Sequence, residues 1–153
     1  MGLQRLNFPQ YPFSVRLREG KEYVFDRIRG RYVRLTPEEW VRQHVVRYLV
    51  AERGVPEGLI SVEKGVALYG KQFRYDAMVC NRAMQPVMLV ECKAPEISLG
   101  QDVMQQVARY NFLHHVRYLF ISNGLVHYCC EMDFSTGTWQ FLPQIPHYSE
   151  LAG

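Results

Sequence analysis

Asp76, Glu91 and Lys93 are the residues whose types and spacing could do chemistry. Residues 87–90 (VMLV) form an apolar run that reads as a buried strand, and Glu91 and Lys93 stand at its end. An ionised pair is costly in that setting unless it is paired or working. Side chains alternate along a strand, so Glu91 and Lys93 share one face while Val90 and Cys92 point the other way. Asp76 sits late in the preceding expected strand. If the two strands are antiparallel neighbours, Asp76 and Glu91 approach each other. Close carboxylates raise each other's pKa unless a cation shares them. Mg²⁺ or Mn²⁺ suits that need, held by Asp76, Glu91, the backbone carbonyl of Cys92 and water. An ammonium at Lys93 can orient an attacking water, favour its hydroxide form and offset charge on a scissile phosphate. The set therefore suits phosphodiester hydrolysis. The plainer alternative is a same-face Glu-x-Lys salt bridge with an unrelated Asp nearby, and such pairs are common.

A second pair, Gln106 and Tyr110, lies four apart in a segment of helical period, on one helix face. An amide and a phenol there could hydrogen-bond a phosphate or hold Lys93 in place. Ordinary packing of Tyr110 beside a half-exposed Gln106 would give the same spacing.

These residues need elements to position them. Residues 1–20, with Pro9 and Pro12, read as an irregular arm. Residues 22–26 and 31–35 alternate about a short turn and predict a hairpin. Thr36-Pro37-Glu38-Glu39 predicts a helix start, with Thr36 as cap and Pro37 at the first position, running to about Arg53 before Gly54 and Pro56. Strands are expected over 59–68, 72–80 and 86–93, the first two as a hairpin across a Tyr-Gly-Lys turn. A helix over 101–115 and strands over 117–122 and 125–132 follow, the latter two joined at Asn123-Gly124. The order predicts an α/β fold, a mixed sheet with helices packed on it.

Bulk properties agree with one packed domain over 1–153. The 153 residues are 48% hydrophobic and 22% charged, near the globular average. No apolar run reaches bilayer length, and the first residues lack a secretory pattern. A cytoplasmic location without membrane contact is expected. Cys80, Cys92, Cys129 and Cys130 have no C-x-x-C spacing and read as reduced, buried thiols. The five histidines lack metal-ligand spacing, and His114 with His115 reads as a helix end. Net charge is +3, but residues 1–35 carry eight Lys or Arg against three acids. Arg27, Arg29, Arg31 and Arg34 in that basic section are candidates for phosphate contacts with nucleic acid. A solvated hairpin explains the charge equally well.

Five pieces in order make the pattern specific: TPEEWVRQ at 36–43, Arg74-Tyr75-Asp76, Val90-Glu91-Cys92-Lys93-Ala94-Pro95, Gln106-x-x-x-Tyr110 and Ser122-Asn123-Gly124. Together they resemble the N-terminal nuclease domain of type I restriction enzyme R subunits, a branch of the PD-(D/E)xK nucleases. The resemblance spans roughly 30–130. It implies a restriction-endonuclease-like mixed β-sheet flanked by helices, with a nuclease core over about 36–133 behind the basic arm and hairpin of 1–35. It further implies DNA as substrate, Asp76 and Glu91 as metal ligands, and Lys93 as catalytic. A first-helix glutamate often joins such sites, and Glu39 is expected here over Glu38. The Gln106–Tyr110 pair is a feature of this branch. Tyr75 stands where the superfamily name has proline, a position that varies.

The sequence has no G-x-x-x-x-G-K-[ST] loop, so a free-standing nuclease domain is expected. Site recognition and translocation would need separate subunits, and double-strand cutting would need a homodimer. The competing expectation is a nucleic-acid-binding or assembly module that keeps the fold without the chemistry.

Overall fold

The computed structural model describes residues 3–62, 65–68, 71–112 and 115–152. Strands β1 (Val15–Arg18), β2 (Lys21–Asp26) and β3 (Arg31–Arg34) form a three-stranded antiparallel sheet. Helix α1 (Pro37–Arg53) follows at once. Thr36 Oγ1 accepts from the Glu39 N–H at 3.0 Å, and Gly54 ends the helix at φ 68°. Both are the expected caps: a hydroxyl satisfies an orphan N–H, and only glycine takes the left-handed C-terminal position cheaply.

The central sheet has six strands in the order β11-β10-β9-β8-β7-β4. These are β4 (Ile60–Val62), β7 (Ala77–Cys80), β8 (Pro86–Cys92), β9 (Tyr118–Ser122), β10 (His127–Asp133) and β11 (Thr138–Leu142). Only the β8–β9 pair is parallel; the others are antiparallel. Parallel neighbours need a crossover, and helix α2 (Gln101–Phe112) supplies it. Strands β5 (Gly65–Leu68) and β6 (Lys71–Arg74) pair separately as a hairpin. The fold is thus the mixed-sheet α/β architecture the sequence predicts.

The sheet is covered on both faces. Val41, Val45 and Leu49 of α1, with Tyr148 and Leu151 of α3 (Tyr148–Ala152), pack on Ala77, Val79, Val90, Cys92 and Phe120. Met104 and Ala108 of α2 pack on Leu89, Leu119, Ile121 and Cys130 from the opposite side. Alternation along β8 therefore sends Val90 and Cys92 toward α1, and leaves Leu89 and Glu91 on the side of α2.

The expected strand over 59–68 is a 3-10 turn (Glu57–Leu59) followed by β4 and β5; its residues 63–64 lie outside the described residues, as do 69–70 of the expected turn. The strand over 72–80 is broken into β6 and β7, with Asp76 at the break. Helix α2 is described over Gln101–Phe112 where 101–115 was expected; Leu113 and His114 lie outside the described residues, and His115 is outside the helix at φ 55°. The arm over 1–20 is tied down: buried Leu6 joins the core, and the Asn7 N–H donates to Gly124 O at 2.7 Å. The four cysteines are buried and free. No described helix is long and apolar enough to cross a membrane.

Candidate functional site

The β7–β8 register pairs Ala77 with Val90, so one further step sets Asp76 against Glu91. Asp76 has its N–H on Val90 O at 3.2 Å, and its Oδ2 accepts from the Cys92 N–H at 2.7 Å. Those bonds fix the carboxyl at the strand end, close enough to the Glu91 carboxyl to raise its pKa. Lys93 follows on the same side of the chain as Glu91. Its N–H is held by Ser122 O at 2.9 Å, which ties the site strand to the end of β9.

A cleft of about 920 Å³ opens beside these residues. Glu91 and Lys93 form one wall; Val103, Gln106, Val107 and Tyr110 of α2 form the other. The helical pair read from spacing alone thus faces the strand-end pair. Asn123 supports the rim. Its Oδ1 accepts from the N–H groups of Leu125 and Val126, and its Nδ2 donates to Ile97 O at 2.9 Å. The adjoining Gly124 sits at φ 86°, where a side chain is strained, and a Cβ there would lie 2.8 Å from Leu6 Cδ2, which would have to shift.

The first helix sets Glu38, and not the expected Glu39, beside Asp76. Burial and the neighbouring Asp76 raise the Glu38 pKa, while Arg42, 3.8 Å away, and Lys93 pull it back. Glu39 turns away into a buried ionic network. Its Oε1 accepts from Arg29 Nη2 at 2.7 Å and Arg42 Nη1 at 2.8 Å, and its Oε2 accepts from Gln43 at 3.1 Å. Adjacent helical side chains point about 100° apart, given 3.6 residues per turn. Only one of the two can face Asp76, and the two guanidiniums claim Glu39.

Arg42 is the site residue that motif reading passes over, although it stands in the quoted TPEEWVRQ block. It is 4% exposed and donates from Nη2 to Asp76 Oδ1 at 3.1 Å. An unbroken chain of charges results: Asp26, Arg29, Glu39, Arg42, Asp76.

The basic candidates separate by burial. Arg29 is 13% exposed and bound to Asp26 and Glu39, and it reaches the groove that Arg31 and Arg34 line. Arg27 pairs with Glu57 at 3.2 Å. Arg31 and Arg34 are exposed and line a groove that also reaches Glu38.

Burial and the neighbouring Asp76 push Glu91 up to about 8, against the pull of Lys93. Among the described residues, no three His, Cys, Asp or Glu side chains close into a metal cage. The Asp76–Glu91 pair is a more open donor set. Each Asp76 oxygen spends one lone pair on a protein donor and keeps another. Two carboxylates with water filling the remaining positions is what Mg²⁺ commonly takes, so the residues present fit such an ion, with the Cys92 carbonyl as a further oxygen.

A titration prediction follows without any ion. A carboxyl whose folded pKa is about 8 binds its proton in the fold across a range where the unfolded chain has lost it. Stability is full below the unfolded Glu value and drains as pH rises toward and through 8. In chelator, the melting temperature should fall between pH 5 and 8.5. Glu91→Gln should flatten that slope and melt higher than the parent at the alkaline end. An equally steep slope in the variant would place the proton elsewhere.

Comparison with known proteins fits this geometry. Residues 37–146 match the family of the type I restriction enzyme R protein N terminus (HSDR_N). Among solved structures, the chain is similar to a fragment described as the HsdR subunit of a type I restriction enzyme from Vibrio vulnificus YJ016. Identity is 26% and the TM-score 0.55, over 76% of this chain and 24% of that one. The chain therefore spans about a quarter of that relative's length. No curated protein matches.

Proposed function

The chain belongs to the family of type I restriction enzyme R protein N-terminal domains, and from that premise we propose that it is a divalent-cation-dependent nuclease acting on DNA. The observation that carries the reading is the meeting of Asp76, Glu91 and Lys93 beside a cleft whose other wall holds Gln106 and Tyr110. Asp76, Glu91 and the Cys92 carbonyl would hold Mg²⁺ or Mn²⁺, with Glu38 close enough to act through water. When bound, such an ion supplies positive charge to a phosphate and lowers the pKa of a neighbouring water.

The chain's own residues do the rest. Lys93 places an ammonium over the cleft, where it offsets the charge growing on a scissile phosphate and directs a water toward phosphorus. Gln106 and Tyr110 can donate from Nε2 and Oη to phosphate oxygens across the cleft. Arg42 holds Asp76 in position from behind. Arg31 and Arg34 add positive charge where the backbone would enter. Within a type I system, site recognition and translocation would belong to other parts of the assembly, and a pair of copies would cut both strands. The reading places the protein in the cytoplasm, with its DNA.

The test is a Mg²⁺ and Mn²⁺ cleavage screen over linear, circular, single-stranded and branched DNA, with chelator controls. Cation-dependent cutting of at least one form is expected. If the protein binds DNA but no form is cut with either ion, the domain is a non-catalytic module.

A further inference from the structure

The β1–β3 sheet has an inner face that is fully accounted for. Val24 and Val33 are buried there against Phe13 and Trp40. Its outer face is not. The register sets Arg16 beside Tyr23, Tyr23 beside Arg34, Phe25 beside Tyr32, and Arg18 beside Lys21. Side chains alternate on a strand, so these residues all stand on the side away from Val24. Three aromatic rings lie within a patch of cations there, with Phe25 36% exposed.

Contacts among these side chains hold the rings in place. Phe25 and Tyr32 meet edge to face at 5.3 Å. The Arg16 guanidinium lies 4.3 Å from the Tyr32 ring centre, and Tyr32 Oη hydrogen-bonds Ser14 Oγ at 2.6 Å. Those contacts hold Tyr32 in place, with the Arg16 guanidinium over one face of its ring and the other face left for a base. The patch also leads somewhere. A groove of about 480 Å³ runs from Tyr23, Tyr32 and Arg34 to Glu38 and Arg42, the residues flanking Asp76.

We infer that the outer face of this sheet binds single-stranded nucleic acid, with bases stacking on Tyr23, Phe25 and Tyr32 and phosphates pairing with Arg16, Arg18, Lys21 and Arg34. The inference rests on the nuclease reading only in taking the groove as the path toward the site; the platform itself stands on the sheet. Charge selects a polyanion. The rings select exposed bases, because a duplex keeps its base faces stacked and offers only its backbone and grooves. Neighbouring strands are about 4.8 Å apart, so three strands make room for two or three bases, as on other sheet platforms.

The test is fluorescence anisotropy of the full chain in EDTA, which keeps cleavage out of the readout. The probes are oligo-dT, oligo-rU and a mixed-sequence duplex of equal length. The single strands should bind more tightly than the duplex, and preference between dT and rU reports the natural strand. Tyr23→Ala/Tyr32→Ala should weaken single-strand binding at least about tenfold, given the usual contribution of base stacking. Tyr23→Phe/Tyr32→Phe should keep it within about twofold. If the alanine pair melts early, Arg16→Gln/Arg34→Gln decides, by lowering the salt slope by about 1.4 units for two lost phosphate contacts. Duplex bound more tightly than single strand, a folded alanine pair that binds like the parent, or an unchanged slope would overturn the inference. Tight single-strand binding without any cleavage activity would instead remove the nuclease reading and leave this one in place.

Discussion

Lys93→Ala is expected to remove cleavage while leaving the fold and DNA affinity close to those of the parent. The side chain stands at the end of β8 on the wall of an open cleft, half-buried, and not in either apolar core. Its removal opens no large cavity. Asp76 keeps both of its fixing bonds, from the Cys92 N–H and from Arg42, neither of which involves Lys93. Removing one preorganised donor from the charge that develops in a transition state costs about 10²–10³ in rate. A fall of at least about a hundredfold is therefore expected under the same reasoning.

The control for a merely structural ammonium is Lys93→Arg. If Lys93 only neutralised Glu91, arginine would do as well and cleavage would persist. In the proposed chemistry it fails, because a planar guanidinium carries its donors at different positions from a compact ammonium. Cation binding gives a second readout. Lys93 opposes a divalent ion electrostatically, so Lys93→Ala should bind Mg²⁺ at least as well as the parent, measured by calorimetry. Retained cleavage in Lys93→Ala would sink the mechanism.

Glu91 and Lys93 were legible because one local rule sufficed: alternation at the end of an apolar run gives a shared face whatever surrounds the strand. Asp76 needed one further step, the hairpin link that makes its strand an antiparallel neighbour. The choice between Glu38 and Glu39 was beyond local rules. Both follow the Thr36 cap, and both suit a first helical turn. Which one faces Asp76 depends on how α1 lies across the sheet and on where Arg29 and Arg42 sit. Charge counting could not show the setting of Arg29 for a related reason: composition records a cation but not Asp26 and Glu39 closing on it. Two edge strands also escaped. All four residues of β1 are exposed, and β11 pairs only with β10, so neither shows a clear buried alternation. Edge strands with solvated faces carry little of the pattern that marks a strand.

Arg42→Ala should produce the largest loss of stability among single changes at the site. Its guanidinium is 4% exposed and bridges Glu39 Oε1 at 2.8 Å and Asp76 Oδ1 at 3.1 Å. Glu39 is also buried, with a side chain 7% exposed. Alanine leaves Glu39 with Arg29 and Gln43 as partners and strips the guanidinium from Asp76, which keeps the Cys92 N–H. Breaking a buried pair from one side costs about 3–5 kcal/mol when the remaining charge is left uncompensated; the partners left to Glu39 and the partial exposure of Asp76 set that range as the upper bound here. For a chain of this length that is a fall in melting temperature of about 6–20 °C. Glu39→Gln in the same chain should recover part of the loss, since a neutral amide needs no counter-charge, and the coupling can be read from a double-mutant cycle. Arg42→Lys should recover less: it restores charge but cannot span Glu39 and Asp76 with one planar fork. A melting temperature within about 2 °C of the parent for Arg42→Ala would mean that the network is only a solvated set of surface pairs. The position of Asp76, and with it the site, would then depend on the β7–β8 register and the Cys92 N–H alone.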